Sequence, residues 1–280
     1  MNEIRSIRRI VTGKPATDGA GVKLVRVIGY NDTQDFDPFL MLDAFDSTNP
    51  EDYVKGFPWH PHRGIETITY LIRGDIAHGD SLGNKGRILD GECQWMTAGS
   101  GILHQEMPKA SERMLGTQLW LNLPAKDKMT EPKYNDIVGE NVPTVAEEGL
   151  NIRIISGNYK GTDGAFRGEY ADALYLDAEM APGAEWLLET DPEATLFIYI
   201  VQGAGFFGPS GEGVAEKHAV LFDKGNAFRA KASEAGARIF LMAAKPLGEP
   251  IAWGGPIVMN TREELDLAFR ELQEGTFIKR

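Results

Sequence analysis

Residues 66–74 have the sequence Glu66-Thr-Ile-Thr-Tyr-Leu-Ile-Arg-Gly74, a run of β-branched and aromatic residues that ends at a glycine. Such a run between turn residues is typical of a β-strand. A similar run follows in the second half of the chain as Thr195-Leu-Phe-Ile-Tyr-Ile-Val-Gln-Gly203, with Tyr199 in the place of Tyr70. A strand sequence that recurs in this way indicates two copies of one β-domain.

Other short apolar runs lie between glycines and prolines along the whole chain. They include Val22–Ile28, Gly116–Leu123, Ala173–Leu176 and Arg238–Met242. Segments 117–126 and 237–246 form a second pair of similar sequences, again one in each half. Short strands at this spacing predict an all-β fold. We therefore expect two similar β-barrels joined through the polar segment 125–140.

One α-helix is predicted near the C-terminus, from Thr261 to about Gln273. Thr261 and Glu264 match a capping box, and Gly275 lies where a helix is expected to end. The apolar positions of this segment share one helical face, which predicts that they pack against a barrel. These positions are Leu265, Ala268, Phe269 and Leu272.

The composition and net charge of the chain disfavour several classes of function. The 280 residues include 29 basic and 41 acidic side chains, a net charge of −12. That charge disfavours direct nucleic-acid binding and anionic membranes. A single cysteine, Cys93, permits no intrachain disulfide, and no apolar run reaches the length of a membrane span or a signal peptide. The sequence predicts a soluble, cytoplasmic protein, with a nuclear location as the alternative in a eukaryotic cell.

Histidines carry the main functional signal. His60-Pro61-His62 places two imidazoles two residues apart, and His104-Gln105-Glu106 repeats that spacing with an imidazole and a carboxylate. Residues i and i+2 of a strand point to the same face, so two such strands would bring three imidazoles and one carboxylate together. This donor set suits iron, with copper, nickel, manganese and zinc as alternatives. Because metal-binding imidazoles must be neutral, we expect metal affinity to fall below the usual histidine pKa of about 6.5.

Longer motifs surround these histidines. They are His60-Pro-His-Arg-Gly-Ile-Glu-Thr67, His78-x-Asp80-Ser81-x-Gly83, Gln94-Trp-Met-Thr-Ala-Gly-Ser-Gly-Ile-Leu-His-Gln-Glu-Met-Pro108 and, near the C-terminus, Gly248-Glu-Pro250 with Gly255-Pro-Ile-Val-Met-Asn-Thr261. Together they resemble the pirin family over nearly the whole chain.

The resemblance implies a fold and a metal. Pirins have two cupin domains, which are double-stranded β-helix or jelly-roll barrels, and the N-terminal cupin holds one iron through three histidines and a glutamate. Carried onto this chain, the ligands of an Fe2+/Fe3+ ion are His60, His62, His104 and Glu106. The implied domains are an N-terminal metal-binding cupin at 1–130, a C-terminal cupin without metal at 140–259, and a helix and tail at 260–280.

The carboxylate ligand has an alternative. Cupins usually take it from the first motif, where Glu66 stands four residues after His62. The pirin pattern favours Glu106, in which case we expect Glu66 to orient a ligand or to pair with a buried cation such as Arg63.

The remaining histidines, two carboxylates and the cysteine are weaker candidates for a functional role. His78 either orients a metal ligand or bonds to Asp80 near a turn, and His218 is expected at a solvated strand edge. The repeat places Glu189 and Asp191 where the first copy has its histidine pair, which predicts a second barrel without metal. Cys93 is expected to be a buried structural residue.

Large apolar residues next to the ligand motifs have two interpretations. Phe57, Trp59, Trp95 and Met96 either fill the barrel core or form an apolar wall for an aromatic ligand.

The resemblance implies two main functions. The first is a dioxygenase that opens the ring of a flavonol such as quercetin with O2, with Glu106 as general base. The second is a non-enzymatic, redox-sensitive iron protein that binds and regulates a protein partner as a transcriptional coregulator. Another cupin reaction, such as isomerisation or oxalate oxidation, is a third alternative.

Overall fold

A computed structural model describes residues 3–279 of the chain. The strands of the first half are β1 (Ile7–Thr12), β2 (Lys14–Asp18), β3 (Val22–Ile28), β4 (Phe39–Ser47), β5 (Phe57–His62), β6 (Ile65–Arg73), β7 (Ile76–Asp80), β8 (Lys85–Ile88), β9 (Cys93–Thr97), β10 (Ile102–Pro108), β11 (Met114–Asn122) and β12 (Lys133–Ile137). Those of the second half are β13 (Thr144–Glu147), β14 (Leu150–Ser156), β15 (Asn158–Tyr159), β16 (Thr162–Asp163), β17 (Leu174–Met180), β18 (Glu185–Glu189), β19 (Thr195–Phe207), β20 (Glu212–Ala215), β21 (His218–Phe222), β22 (Ala227–Ala244), β23 (Ala252–Gly254) and β24 (Ile257–Met259).

Helices are few. The α-helices are α1 (Thr33–Phe36) and α2 (Arg262–Glu274), and the 3-10 turns are Tyr30–Asp32, Pro50–Asp52, Ala125–Asp127 and Gly139–Asn141. The predicted all-β cupin fold with a short C-terminal helix is confirmed. None of the helices in the described part of the chain is long and apolar enough to cross a membrane.

The chain divides into two compact units. The N-terminal barrel comprises Lys14–Thr33, Phe39–Gly139 and residues 247–279, and the C-terminal barrel comprises residues 3–13, Gln34–Pro38 and Glu140–Pro246. Each unit therefore combines separate segments, whereas the sequence-based division was linear. The reason is strand pairing and packing: β1 pairs with β21, and α2 packs against β23 and β24.

Two sheets form the N-terminal barrel. A seven-stranded sheet has the order β12-β9-β6-β11-β4-β3-β2, and a four-stranded sheet has the order β5-β10-β7-β8. Strand β11 is buried along its whole length, while β10 alternates between buried and half-buried positions. This alternation turns His104 and Glu106 into the interior, because residues two apart on a strand share a face.

A nine-stranded sheet forms the C-terminal barrel, and its interior is packed with aliphatic and aromatic side chains. The two similar segments of each half are neighbouring antiparallel strands. Tyr70 on β6 lies opposite Thr117 on β11, and Tyr199 on β19 lies opposite Phe240 on β22. The sequence repeat thus corresponds to the same strand pair in each unit.

Helix α2 has the predicted caps. The Thr261 hydroxyl accepts a hydrogen bond from the Glu264 N–H, the capping box is complete, and Gly275 ends the helix with a left-handed φ of 71°. The predicted apolar face is buried at Leu265 and Ala268, but Phe269 is 37% exposed. Phe269 lies at the margin of that face and its ring is close to Gly254, while Leu272 is partly buried.

Candidate metal centre

Pairing of β5 with β10 brings the three predicted histidines together. His104 lies directly opposite His60 in the antiparallel register, and His62 follows on the same face of β5. The ring centroids are 4.3 Å apart for His60 and His104, 4.9 Å for His60 and His62, and 5.0 Å for His62 and His104. One nitrogen from each ring lies within 4.8 Å of the other two. Three imidazole nitrogens at this separation can bind one transition-metal ion.

Backbone carbonyls orient two of these rings. The Nδ1 atom of His60 donates to the Pro58 carbonyl at 2.8 Å, and Nδ1 of His62 donates to the Pro256 carbonyl at 3.0 Å. A hydrogen bond at Nδ1 fixes the tautomer in which Nε2 carries the free lone pair. Both rings therefore present Nε2 as the metal-binding atom.

His104 gives the clearest indication of a missing ligand. Its side chain is buried, and neither ring nitrogen has a hydrogen-bond partner among the residues that the structure describes. A buried polar group without a partner is costly, unless an ion or another ligand satisfies it. The donor chemistry of this cluster thus fits a bound metal.

Burial also keeps the imidazoles neutral. It lowers the pKa of His62 to about 3, with a further contribution from the charge of His60. Burial likewise lowers the pKa of His104 well below its usual value, and the neighbouring histidines act in the same direction. Neutral imidazole is the form that binds a metal. Both groups are in that form at neutral pH.

Glu106 is buried in the same interior, two residues after His104 on β10. Its carboxylate accepts a hydrogen bond from the Thr69 hydroxyl at 3.0 Å and two from the Gln118 amide at 3.0 and 2.8 Å. Within residues 3–279, the group of donor atoms within 4.8 Å of one another consists of the three imidazoles and does not include this carboxylate. Its role as the fourth ligand is still a prediction.

Glu66, the alternative carboxylate, is also buried and accepts a hydrogen bond from the Thr97 hydroxyl at 2.7 Å. Of the two roles expected for Glu66, the ion pair with Arg63 is wrong, and the orientation of a metal ligand is still a prediction. Arg63 forms its ion pair with Glu271 at 2.7 Å and donates to two backbone carbonyls. The guanidinium is therefore used to hold the helix and the C-terminal tail against this unit.

Tyr134, which the sequence analysis did not single out, forms a buried polar cluster with His78. His78 lies opposite Glu106 in the register of β7 and β10, and its Nδ1 hydrogen-bonds to the Tyr134 hydroxyl, which also accepts from the Gln94 amide. Its other nitrogen lies 3.3 Å from the Asp136 carboxylate. Burial and the charges of Asp136 and Glu106 raise the pKa of Tyr134, so the phenol stays protonated.

Of the two roles expected for His78, the hydrogen bond to Asp80 is wrong, and the orientation of a metal ligand is still a prediction. Asp80 instead accepts from the backbone N–H groups of Leu82 and Asn84 and stabilises the turn between β7 and β8. Tyr134 could have been found only from the register of β12, because it is separated by more than fifty residues from His78.

An open cavity of about 590 Å³ leads to His60 and His62. Its other lining residues are Asp18, Gly19, Arg26, Gly29, Tyr30, Met41, Asp43, Phe57, Pro58, Gln118, Trp120, Trp253, Gly255 and Pro256. Of the apolar candidates, Phe57 lines this cavity, Trp95 and Met96 are core residues, and Trp59 is 53% exposed on the surface. Trp120 and Trp253 were missed. Trp120 could have been found from the sequence, because it lies two residues after Gln118 on the same face of β11. Trp253 could not, because it is distant in sequence from the histidine motifs.

The corresponding positions of the C-terminal barrel have other partners. Asp191 pairs with Lys245, Glu189 is exposed, and His218 hydrogen-bonds to backbone carbonyls. Cys93 is buried, and burial raises the pKa of its thiol. A buried protonated thiol is typical of a structural residue.

Comparison with known proteins gives consistent results over the whole chain. The family model "Pirin" matches residues 21–121, and the model "Pirin C-terminal cupin domain" matches residues 175–278. A pirin-like protein of Caulobacter vibrioides is 43% identical over 98% of this chain and 99% of its own length. A Pseudomonas aeruginosa protein with a provisional quercetin 2,3-dioxygenase name is 42% identical over 98% and 99%.

A solved structure supports the same relationship. The quercetin 2,3-dioxygenase of Acinetobacter baumannii superposes with a TM-score of 0.89 at 30% identity, covering 98% of each chain.

Proposed function

This chain belongs to the pirin family, and from that premise we propose that it is a mononuclear iron dioxygenase that opens the central ring of flavonols with O2. The observation that carries the proposal is an open cavity, lined by aromatic side chains, that leads to the three-histidine cluster. A flat aromatic substrate fits such a cavity, and a flavonol offers its 3-hydroxyl and 4-carbonyl oxygens to a metal. The similarity to the Acinetobacter quercetin 2,3-dioxygenase supports the same substrate class.

The residues that would hold the metal are His60, His62, His104 and Glu106. Three neutral nitrogens and one carboxylate suit Fe2+ or Fe3+, and the same set accepts copper, nickel, manganese or zinc. A bound metal of this kind supplies Lewis acidity, orients the substrate and supports the reduction of O2. Iron is the proposed ion because the family resemblance points to it.

Glu106 is proposed as the base that takes the proton of the 3-hydroxyl. Hydrogen bonds from Thr69 and Gln118 hold its carboxylate in one orientation: Oε1 accepts from both side chains, and Oε2 accepts from Gln118 alone, which leaves a lone pair on Oε2. A general base must lie within hydrogen-bond reach of the proton that it abstracts. The proposal is supported by the burial of Glu106 and by its position two residues after His104, on the same face of β10.

The remaining parts of the site position the substrate and exclude water. Trp120 lies edge-on to His62 with ring centroids 5.0 Å apart, and its indole N–H donates to the side-chain amide oxygen of Gln118. Gln118 thus connects the aromatic wall to the proposed base. In the overall reaction, the flavonol and O2 give a depside and carbon monoxide, and the protein contributes position, a base and a dry environment.

The test compares Glu106→Gln with Glu66→Gln. Glutamine keeps an oxygen at either position but removes the anionic base. We expect loss of Glu106 to lower the rate of flavonol loss per bound metal by ~10²–10⁴-fold. Loss of Glu66, a neighbouring buried carboxylate, is expected to cost only ~10–100-fold.

The measurement is flavonol absorbance against time, normalised to the metal content of each sample. Equal rates per metal in wild type and Glu106→Gln would reject the base role. No turnover of several flavonols by metal-replete wild type would reject the dioxygenase and favour a redox-sensitive protein that binds a regulatory partner.

A further inference from the structure

Three aromatic rings form a continuous row in the cavity. Trp120 lies next to His62, its ring centroid is 5.7 Å from that of Trp253 with planes inclined by 36°, and Tyr30 is 5.8 Å beyond Trp253. The indole N–H of Trp253 donates to the Gly255 carbonyl at 2.7 Å, which holds the ring in place. The row ends at Tyr30, whose side chain is 65% exposed. Rings arranged in this way offer stacking surfaces to a flat ligand.

The same cavity also contains a fixed group of charges. Arg26 forms a bidentate pair with Asp43 at 2.9 and 2.7 Å and donates from Nη2 to Asp18 at 2.8 Å. Asp43 is buried, whereas the Asp18 side chain is 51% exposed. The bidentate pair therefore anchors Arg26, and Arg26 in turn holds Asp18 at the edge of the cavity.

Asp18 has unused hydrogen-bonding capacity. One oxygen accepts from the Gly19 N–H at 2.7 Å and the other from Arg26, and each carboxylate oxygen can accept a second bond. Gly19 has a left-handed φ of 56°, and a Cβ there would lie 2.6 Å from the Phe57 ring. Glycine thus lets the turn after β2 pack against β5, the strand that carries His60. Burial acts to raise the pKa of Asp18, but the bonds from Arg26 and Gly19 lower it overall, so the group is an anionic acceptor at neutral pH.

From this placement we propose that Asp18, fixed by Arg26, and the Trp120–Trp253 pair form a recognition subsite for planar polyphenols, in which the rings stack on the ligand and Asp18 accepts a phenolic hydroxyl remote from the metal-bound oxygens. The inference rests on the proposed flavonol substrate. It adds a prediction about substrate preference. Flavonols that carry hydroxyls on the outer ring should bind more tightly than flavonols that lack them. It also assigns this selection to Asp18 and not to the histidines.

The experiment measures equilibrium binding under nitrogen, so that no O2-dependent turnover occurs. Quercetin and galangin are the probes, since they share the metal-binding oxygens and differ only in the two hydroxyls of the outer ring. Dissociation constants come from calorimetric titration of the protein as purified, and the structure predicts roughly 10-fold tighter binding of quercetin. This comparison on the wild type needs no substitution.

Variants then locate the effect. Asp18→Asn is expected to weaken quercetin binding by roughly 10-fold and galangin binding by less than about 2-fold, because a hydrogen bond to a charged group is lost. Trp253→Ala is expected to weaken both by a similar factor, whereas Trp253→Phe keeps most of the affinity. The matched controls are Asp46→Asn, a paired carboxylate outside this cavity, and Trp59→Ala, an exposed tryptophan outside it. Neither control should change binding.

Equal affinities of the wild type for the two flavonols would overturn the inference, and so would an Asp18→Asn variant that weakens both alike. Preferential binding of quercetin without O2-dependent turnover would support the subsite and reject the dioxygenase. Turnover of both flavonols without a binding preference would reject the subsite alone. Binding of neither flavonol would contradict both proposals.

Discussion

Acidification is expected to destabilise the metal-free protein through its buried imidazoles. In the folded state, burial and the charge of His60 lower the pKa of His62 to about 3, whereas a histidine in the unfolded chain has a pKa of about 6.5. Between these two values the unfolded chain binds more protons than the folded one. The free energy of unfolding therefore falls as the pH falls from 6.5 towards 3.

The size of this change in the free energy of unfolding follows from the difference between the folded and unfolded pKa values of His62. Across this window His62 alone lowers the free energy of unfolding by on the order of 1 kcal/mol per pH unit. Burial of His104 shifts its pKa in the same direction and adds to the slope. These two imidazoles also stay neutral below pH 6.5, so proton competition with the metal begins at a lower pH for them than the sequence alone suggested.

The assay is urea unfolding, followed by tryptophan fluorescence, of chelator-treated protein at pH 5, 6 and 7. His62→Gln keeps a donor for the Pro256 carbonyl and has no group that titrates in this range. Its stability should vary less steeply with pH than that of the wild type. Identical slopes for the two proteins would refute the reasoning.

Three further predictions concern stability and are measured by urea or thermal unfolding. Lys128→Met removes the charged donor of hydrogen bonds to three buried oxygens and should cost about 3 kcal/mol, while Lys126→Met at an exposed site should be nearly neutral; equal effects would contradict this. Gly64→Ala should be far more destabilising than Gly83→Ala, since a Cβ would lie 2.0 Å from a backbone carbonyl at the first site and meets nothing within 4 Å at the second. Thr261→Ala should cost about 0.5–2 kcal/mol through loss of the helix cap, and an unchanged melting temperature would count against the cap.

Local pattern predicted much of the fold. The run from Val22 to Ile28 is strand β3, and the helix caps at Thr261 and Gly275 lie where the sequence indicated. The period of two along a strand predicted that His60 and His62 share one face. The pairing of β5 with β10, which local pattern does not indicate, then brings His104 to them.

Long-range pairing could not be predicted in the same way. β1 belongs to the C-terminal barrel because it pairs with β21, and no local signal at Ile7–Thr12 indicates that partner. The contacts of His78 with Tyr134 and of Arg63 with Glu271 also depend on register and on the path of the tail. Trp253 lines the cavity for the same reason, although its own neighbourhood in sequence gives no sign of a site.

We propose that the N-terminal barrel holds one metal ion on its three imidazoles. Elemental analysis by plasma mass spectrometry compares wild type with the double variant His60→Ala/His104→Ala, purified in parallel and checked for folding by circular dichroism. We expect about one metal ion per chain in the wild type, chiefly iron, and almost none in the folded double variant. An unchanged metal content in the double variant would show that the metal is not bound by these imidazoles.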